Sequence, residues 1–529
     1  MLLKPHIHRW IYLGALALIV VGLPLSKAFL SIGGIALAVN FLMEGQFQSR
    51  IKELSRQPVP LLMIAFYLLH VIALLWSYDI ERGFWDLRIR LPLLLFAVVI
   101  PLSKPLERKE FRALIWLFIL AVIGTSFLST WEFIQVRDDP SFDYRELSLF
   151  TSHIRYSLMV CLSYLFLLNI AWNANGNLTM RVVSVVLAIW LSIFLLILQS
   201  MTGIVIWLLA SYLLLFYSLA YNKQRRFRTM SMTILSLTPL LVGGYILLQV
   251  DAFYPDEAPN FQELETHSAG GEAYKHDSVN LMLENGHYIH FYVAWGELAK
   301  QWDKRSDRPF WTGKDKIGHP INATVMRYLT SKGLRKDSVG VNSLTEEDVS
   351  AIENGIANVR FTYGNPVDNR IYTVIWEVDR MINEKGVQGH SVTQRFVYWK
   401  TGWKILSEHA IFGVGTGDAP TAFEEMYDRT GSKLSEKNRL RAHNQFLSIG
   451  ILLGLVGLVV FILSILSPFL FLRNANSFIY IGFAIILYAS MLNEDTLETQ
   501  VGVTLYAFFH MFLLYGVSSL SWVFSKTSS

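Results

Sequence analysis

Apolar runs of about 16–22 residues recur along this chain, the length an α-helix needs to cross a hydrocarbon core about 30 Å thick. A backbone surrounded by lipid must satisfy its own N–H and C=O groups, and consecutive runs of this length do so by coiling into helices. Hydrophobic residues make up 53% of the 529, and the mean hydropathy of +0.37 is well above that of soluble globular chains. The expected fold is therefore an all-α polytopic membrane protein with about 12 transmembrane helices. They lie near 10–25, 28–43, 59–77, 89–103, 112–131, 153–172, 182–199, 202–220, 230–250, 444–472, 477–492 and 501–523. The N-terminus (Lys4, His6, His8, Arg9, then an apolar run) mimics a signal peptide, but no small-x-small cleavage site follows cleanly, which favours an uncleaved first span. The single cysteine, Cys161, lies in an apolar run, so no internal disulfide can form.

Loop charge sets the expected orientation. With the N-terminus in the cytoplasm, the basic clusters 50–56, 104–112 and 223–228 fall inside, as do Arg181, Arg473 and Lys526. The outer loops keep fewer cations: Lys27, Arg82, Arg88, Arg90, Arg137, Arg145 and Arg155. Both termini are thus expected inside and the acidic hairpin Asn493–Glu498 outside. Residues 251–442 break the pattern, being polar, charged and rich in tryptophan. A stretch of this length is a domain rather than a loop. The expected division is 1–250 (spans one to nine), 251–442 (a periplasmic insertion) and 443–529 (spans ten to twelve). Within the insertion, Thr345-Glu346-Glu347-Asp348 opens a capped helix carrying Val349, Ile352 and Ile356 on one face. Residues 359–363 and 370–375 alternate like strands, which predicts a mixed α/β insertion.

Chemistry concentrates where the tenth span begins. His443 and Asn444 precede a small-residue helix containing Gly450, Gly454 and Gly457. One reading is an interfacial histidine beside a close-packing glycine surface. The other is a titratable ring fixed on rigid backbone at a membrane face, with the charges of Arg439 and Arg441 favouring a neutral imidazole, a competent general base. Upstream, Arg395 stands four residues before Trp399, as a stacked surface pair or as an anion ligand. Gly413, Gly415 and Gly417 lead to Asp418 in a run that lacks the strand–helix context of a dinucleotide fingerprint. It is either a loop that brings backbone close to a sugar or phosphate or an ordinary tight turn. Glu494 and Asp495 could orient His443 or simply form a solvated turn. Trp295, Trp302, Trp311 and Trp376 could stack on sugars, though most are expected in the core of the insertion.

His443, Asn444, nine residues, Gly454, two residues and Gly457 resemble the H-[NSQ]-x9-G-x2-[GTY] pattern of the O-antigen ligase family, within the O-antigen ligase/polymerase superfamily of bacterial membrane glycosyltransferases. The resemblance implies a GT-C-like architecture. It also implies transfer of a glycan from an undecaprenyl-pyrophosphate-linked donor to a hydroxyl of the lipid A core, at the periplasmic face and with inversion. On this resemblance His443 is the base and Arg395 a catalytic arginine. Asn444, Gly415, Gly417 and Asp418 are substrate-binding candidates; no metal and no cofactor are expected. The partners implied are the lipid-linked donor, the lipid A core acceptor and membrane lipids, with no nucleic acid. Family members often carry a second arginine in a Ser-Arg turn between spans seven and eight, where this chain reads Ser200-Met201-Thr202-Gly203. Arg155, in His153-Ile154-Arg155 opening span six, is the first substitute; Arg88 and Arg90 are others unless they pair with Asp86 or Glu81. A surface-polysaccharide polymerase is the alternative within the superfamily, and an oligosaccharyltransferase a third relative. A lipid-linked sugar transporter or flippase belongs to another class, and the halves of the chain show none of the internal symmetry common in transporters. A receptor or scaffold built on the insertion is a further class.

Overall fold

The apolar runs coil, and the polar insertion folds around its own small cores. A computed structural model describes residues 4–45, 47–136, 144–174, 177–220, 224–255, 260–382 and 391–520, together with the backbone alone at 366, 367, 391 and 392. Arg137, Lys223, Lys526 and the end of the last expected span lie outside the described residues. The chain divides into two units, residues 1–222 with 394–529 and residues 223–393.

In the first unit the helices are α1 (Pro5–Leu25), α2 (Lys27–Glu44), α3 (Phe47–Leu54), α4 (Pro58–Ile72, continued by a 3-10 turn to Trp76), α5 (Ile80–Leu102), α6 (Arg108–Val136), α7 (His153–Trp172), α8 (Leu178–Ile197) and α9 (Met201–Ala220). The second unit opens with α10 (Arg225–Asp251). It continues with strands β1 (Leu283–Glu284) and β2 (His287–Tyr288), then α11 (Trp295–Trp302), α12 (Ile321–Ser331), α13 (Ser338–Asn342), α14 (Glu346–Glu353), α15 (Arg360–Tyr363) and α16 (Pro366–Ile382). The chain then forms α17 (Ser391–Glu408), α18 (Ala419–Arg429), α19 (Gln445–Phe471), α20 (Phe478–Met491) and α21 (Gln500–Tyr515).

Each expected span falls on a helix among the described residues, the last of them ending at Tyr515. Among the described residues, 9 helices are long and apolar enough to cross a membrane: α1, α2, α4 with its extension, α6, α7, α8, α9, α10 and α19. The apolar helices α20 and α21 are shorter, and α5 carries Glu81, Arg82, Asp86, Arg88 and Arg90 along its first half. The protein is a polytopic membrane protein. Its first unit is organised around α21, whose residues from Val501 to Leu514 are all buried. Phe508 meets Phe96 of α5, Phe512 stacks on Phe111 of α6, and Phe509 lies against Phe118 of α6 and Phe166 of α7. A central aromatic helix touched by three others lets a short element hold a wide bundle together.

The second unit corrects the expectation of a mixed α/β insertion. Residues 359–363 and 370–375, read as strands, form α15 and most of the first half of α16. The β-branched run Ile371–Ile375 suggested alternation, but Tyr372, Ile375 and Asp379 recur at helical spacing and are buried, and Pro366 sits where a helix tolerates it, in the first turn. The named strands among the described residues are a two-residue antiparallel pair, Leu283 opposite Tyr288 and Glu284 opposite His287. They are joined through Asn285 and Gly286, both at positive φ, the Asn-Gly turn that suits hairpin twist. The capped helix at Thr345 forms, Thr345 and Asp348 making a reciprocal capping box with Val349 and Ile352 buried, but it ends at Glu353, so Ile356 packs against the core from beyond the helix rather than from its face. Two cores fill the unit. The larger gathers Ile289, Val293, Trp302, Phe310, Tyr328 and Ile352 among others; the smaller joins Phe253 to Leu283, Tyr372 and Ile375.

Lys336 is buried in this unit, 3% exposed, with Nζ donating to the Tyr288 carbonyl at 3.2 Å. Burial pushes its ammonium down from 10.5 to about 7, only partly opposed by Asp337. The unfolded chain binds this proton up to about pH 10.5 and the folded unit only to about pH 7, so folding is penalised below pH 7 and the penalty fades between these values. Lys336→Met should therefore stabilise the unit by about 2–4 kcal/mol at pH 6, with the gain shrinking steadily toward pH 9.5. Urea-dependent pulse proteolysis of the full-length protein, with cuts mapped to 260–382, reads this difference. A gain that stays constant with pH would contradict it.

Candidate functional site

The site is built where α19 begins. Asn444 caps the helix, its Oδ1 accepting from the Leu447 amide at 3.0 Å, while its Nδ2 donates to the Leu492 carbonyl at 2.9 Å. Gln445 Oε1 accepts from the Leu497 amide at 2.6 Å. The start of α19 and the loop between α20 and α21 are thus stitched together, and Asp495 is the central stitch. Its carboxylate accepts the His443 amide at 3.0 Å and the Ser448 hydroxyl at 2.6 Å. His443 takes φ +47°, a left-handed conformation uncommon outside glycine, and the Asp495 bond holds it there.

That conformation sets the imidazole between Tyr398 of α17, with ring centroids 5.8 Å apart, and Glu494, whose Oε2 lies 3.6 Å from Nδ1. The other oxygen of Glu494 accepts from Arg395 Nη2 at 2.9 Å. Arg155 Nη2 donates to the Asp495 carbonyl at 2.8 Å. Three elements, α7, α17 and the N-terminus of α19, therefore bring Arg155, Arg395 and His443 to one acidic loop. The carboxylate is shut in and its partners are not: Glu494 is 3% exposed, Arg395 25% and His443 32%. A carboxylate facing Nδ1 favours the tautomer with its proton there, which leaves the Nε2 lone pair for a substrate hydroxyl. Burial pushes the Glu494 carboxyl up, but His443, Arg395 and Arg155 together bring it below the usual range. Asp495 goes the other way, raised by burial and by Glu498.

Glu498 completes the loop. Burial alone would raise its carboxyl, yet Arg90 and Arg441 bring it to about 2. Arg441 Nη1 donates to it at 3.1 Å, and Arg90 bonds its other oxygen. Arg90 also pairs with Asp86 at 3.5 Å and is buried, so it is a tie-rod of the loop rather than an open ligand. Arg88 is exposed over the Trp85 ring, 5.7 Å from its centroid, and is not brought to the loop. Arg439 bonds Glu424 and Asp428. Both upstream arginines are engaged by carboxylates, and the carboxylate that faces the imidazole is that of Glu494.

The glycine run lies elsewhere, at the middle of α19. Gly454 has φ +65° and ψ −165°, a region open essentially to glycine alone, and it breaks the helix. The loop after α17 occupies the break: Val414 and Gly415 amides donate to Ile451 and Leu452 at 2.8 and 3.1 Å, and the Leu455 amide donates to Ala410 at 2.7 Å. Gly415 and Gly417, at φ +109° and +108°, press against Ser77 and against Asp79 and Gly83. Asp418 accepts the Tyr78 and Asp79 amides, both at 2.8 Å. These three candidates join α17, α19 and the α4–α5 turn, and both carboxylate oxygens of Asp418 are occupied. The Ser200–Gly203 turn, which lacks the expected arginine, closes onto α7 through Ser200 Oγ and Ser157 Oγ at 3.1 Å. Sequence reasoning missed Tyr398, Ser448, Gln445 and Glu498. Of these only Glu498, a charge beside an apolar run, carried a local signal. Among the described residues no three His, Cys, Asp or Glu side chains converge as metal ligands.

Residues 349–462 match the family model described as O-antigen ligase. The chain is thus a polytopic membrane protein in which residues 349–462 are similar to the O-antigen ligase family. The match contains Arg395, the glycine run and the His443–Gly457 motif; Arg155 and the Glu494–Glu498 loop lie outside it. No curated protein matches the chain.

Gly454→Ala places a Cβ 2.1 Å from the Ile411 carbonyl oxygen in a conformation alanine does not tolerate. We expect it to cost more than about 2 kcal/mol, read as a fall of several degrees in the Tm of the detergent-purified protein. Gly124→Ala, whose Cβ meets open space in α6, is the control that should leave Tm unchanged or higher.

Proposed function

We propose that the protein is an O-antigen ligase-type glycosyltransferase. It moves a glycan from undecaprenyl pyrophosphate to a hydroxyl of the lipid A core at the periplasmic face. The observation that carries the reading is the meeting of His443 and Arg395 on the two oxygens of Glu494, with Arg155 on the adjacent residue. A base and two cations gathered at one acidic loop suit the transfer of a sugar from a pyrophosphate.

In this mechanism the acceptor hydroxyl gives its proton to His443 Nε2 as its oxygen bonds the anomeric carbon. The bond from that carbon to the pyrophosphate oxygen breaks, and the electron pair leaves with undecaprenyl pyrophosphate. Arg395 and Arg155 neutralise the charge that accumulates there, the arginine fork matching phosphate oxygens. Attack opposite the leaving group inverts the anomeric centre. Glu494 holds the imidazole ring and stabilises the imidazolium that forms, a role taken by buried carboxylates beside catalytic histidines elsewhere.

A deletion strain rescued with wild type, His443→Ala or Arg395→Lys tests the chemistry, with lipid-A-linked and undecaprenyl-linked polymer separated. Loss of the base should lower transfer about 10²–10⁴-fold, and the lysine should fail by at least about tenfold because it lacks the fork. Long polymer should then accumulate on undecaprenyl at normal protein level. Single repeat units on the core, with polymer missing everywhere, would mean a polymerase instead. Normal glycolipids with His443→Ala would end the reading.

The same reading puts residues 251–442 in the periplasm with both termini in the cytoplasm, supported by the loop charge bias. Val279 is 90% exposed, and the native Cys161 is buried. A Val279→Cys protein should therefore be labelled by an impermeant maleimide in intact spheroplasts, and wild type should not. Labelling of the variant only after lysis would invert the topology.

A further inference from the structure

We propose that Trp311 and Trp295 form a stacking platform on the second unit that holds a pyranose ring of the glycan. The ligand class rests on the glycan-transfer reading above; the platform itself rests on geometry.

Of the insertion's tryptophans, Trp302 is fully buried, as expected of core, and Trp376 lies under the guanidiniums of Arg327 and Arg380. Trp311 differs. It is 60% exposed, and its ring centroid lies 5.6 Å from that of Trp295 at an interplanar angle of 35°. Behind them, the buried Phe310 meets Trp311 edge-on at 5.0 Å.

The loop that presents Trp311 is pinned at every turn. Trp302 Nε1 donates to the Arg308 carbonyl at 2.9 Å, and the Phe310 amide donates to Asp303 at 2.7 Å. The Gly313 amide closes on Pro309 at 2.7 Å, and the Ile321 amide on Gly313 at 3.0 Å. An indole held in water by a rigid loop forgoes apolar burial that a flexible loop could recover. A pyranose covers such a ring with a face of C–H groups, whose partial positive charge meets the negative face of the indole. Thr312 and Lys314, exposed in the same turn, add donors for ring hydroxyls or for an acidic substituent.

A bilayer surface is the other apolar partner an exposed tryptophan finds, and the packing favours the sugar. Phe253, just past the end of α10, enters the smaller core, whereas Trp295 and Phe310 belong to the larger one. The membrane-spanning helix of this unit therefore roots in a different core from the one that backs the platform.

The test uses full-length protein in detergent and the oligosaccharides released by mild acid from the lipopolysaccharide of the bacterium that encodes it. Binding is followed by saturation-transfer NMR titration. Wild type and His443→Ala should bind alike, Trp311→Ala at least about tenfold more weakly, and Trp311→Phe within about threefold of wild type. Equal binding by Trp311→Ala, or no binding by wild type, overturns the platform. Binding that survives while glycolipid transfer proves absent would sink the transfer reading and leave the platform standing. In nanodiscs containing brominated phosphatidylglycerol, an NBD label on Trp311→Cys should not be quenched; quenching would assign the surface to the bilayer and overturn the proposal.

Discussion

The Glu494–Glu498 loop is the constraint on which the first unit depends. Glu494, Asp495 and Glu498 are all buried, and each buried carboxylate costs several kcal/mol unless charges and hydrogen bonds replace its water. The replacement comes from far along the chain: Arg90 from α5, Arg155 from α7, Arg395 from α17, and Arg441 with His443 from the approach to α19. None of these partners is adjacent in sequence to the loop. The site and the fold are consequently one event, because the loop is stable only when the bundle has brought the arginines to it, and the arginines are costly at a membrane edge without the loop.

The break in α19 serves the same end by another route. A helix interrupted at Gly454 exposes amides and carbonyls that lipid cannot satisfy. The 410–415 segment supplies the missing partners, and Asp418 then ties that segment to the turn that leads into α5, the helix that carries Arg90. In the first half of α19, Gly450 faces Leu406 and Gly402 faces Leu447, so α17 packs closely there and brings Tyr398 to the imidazole. The motif glycines therefore act on His443 at a distance, by fixing the helices that frame it.

These particulars separate what was legible in the chain from what was not. The spans were legible because a long apolar run in lipid has so few ways to satisfy its backbone; α7 begins and ends where hydropathy alone put it. His443, Arg395 and Arg155 were legible as candidates because a titratable or cationic group at a membrane edge is conspicuous. Their pairing was not, since Arg395 and Glu494 are 99 residues apart and nothing local links them. Gly454 looked like a packing residue because positive φ leaves no mark in composition. In the insertion the Ile371–Ile375 run alternates like a strand although its burial is decided by the neighbours of α16, whereas Asn285-Gly286 joins flanks of only two residues each, too short to read as strands.

Glu494 contacts His443 and Arg395 through its two oxygens, which in the proposed reaction would set the order of events. Arg395 commits one Nη2 bond to the carboxylate and in that reaction would keep its remaining donors for phosphate. The pyrophosphate would then draw charge from the guanidinium that Glu494 also uses. As that pairing weakens, the carboxylate is freer to stabilise a proton on the imidazole, whose Nδ1 lies 3.6 Å away. In the proposed reaction, donor binding would therefore be felt at His443 through a side chain that touches neither substrate. Because Glu494 is almost wholly removed from water, this exchange takes place in a low dielectric, where a small shift in either partner carries a large electrostatic effect.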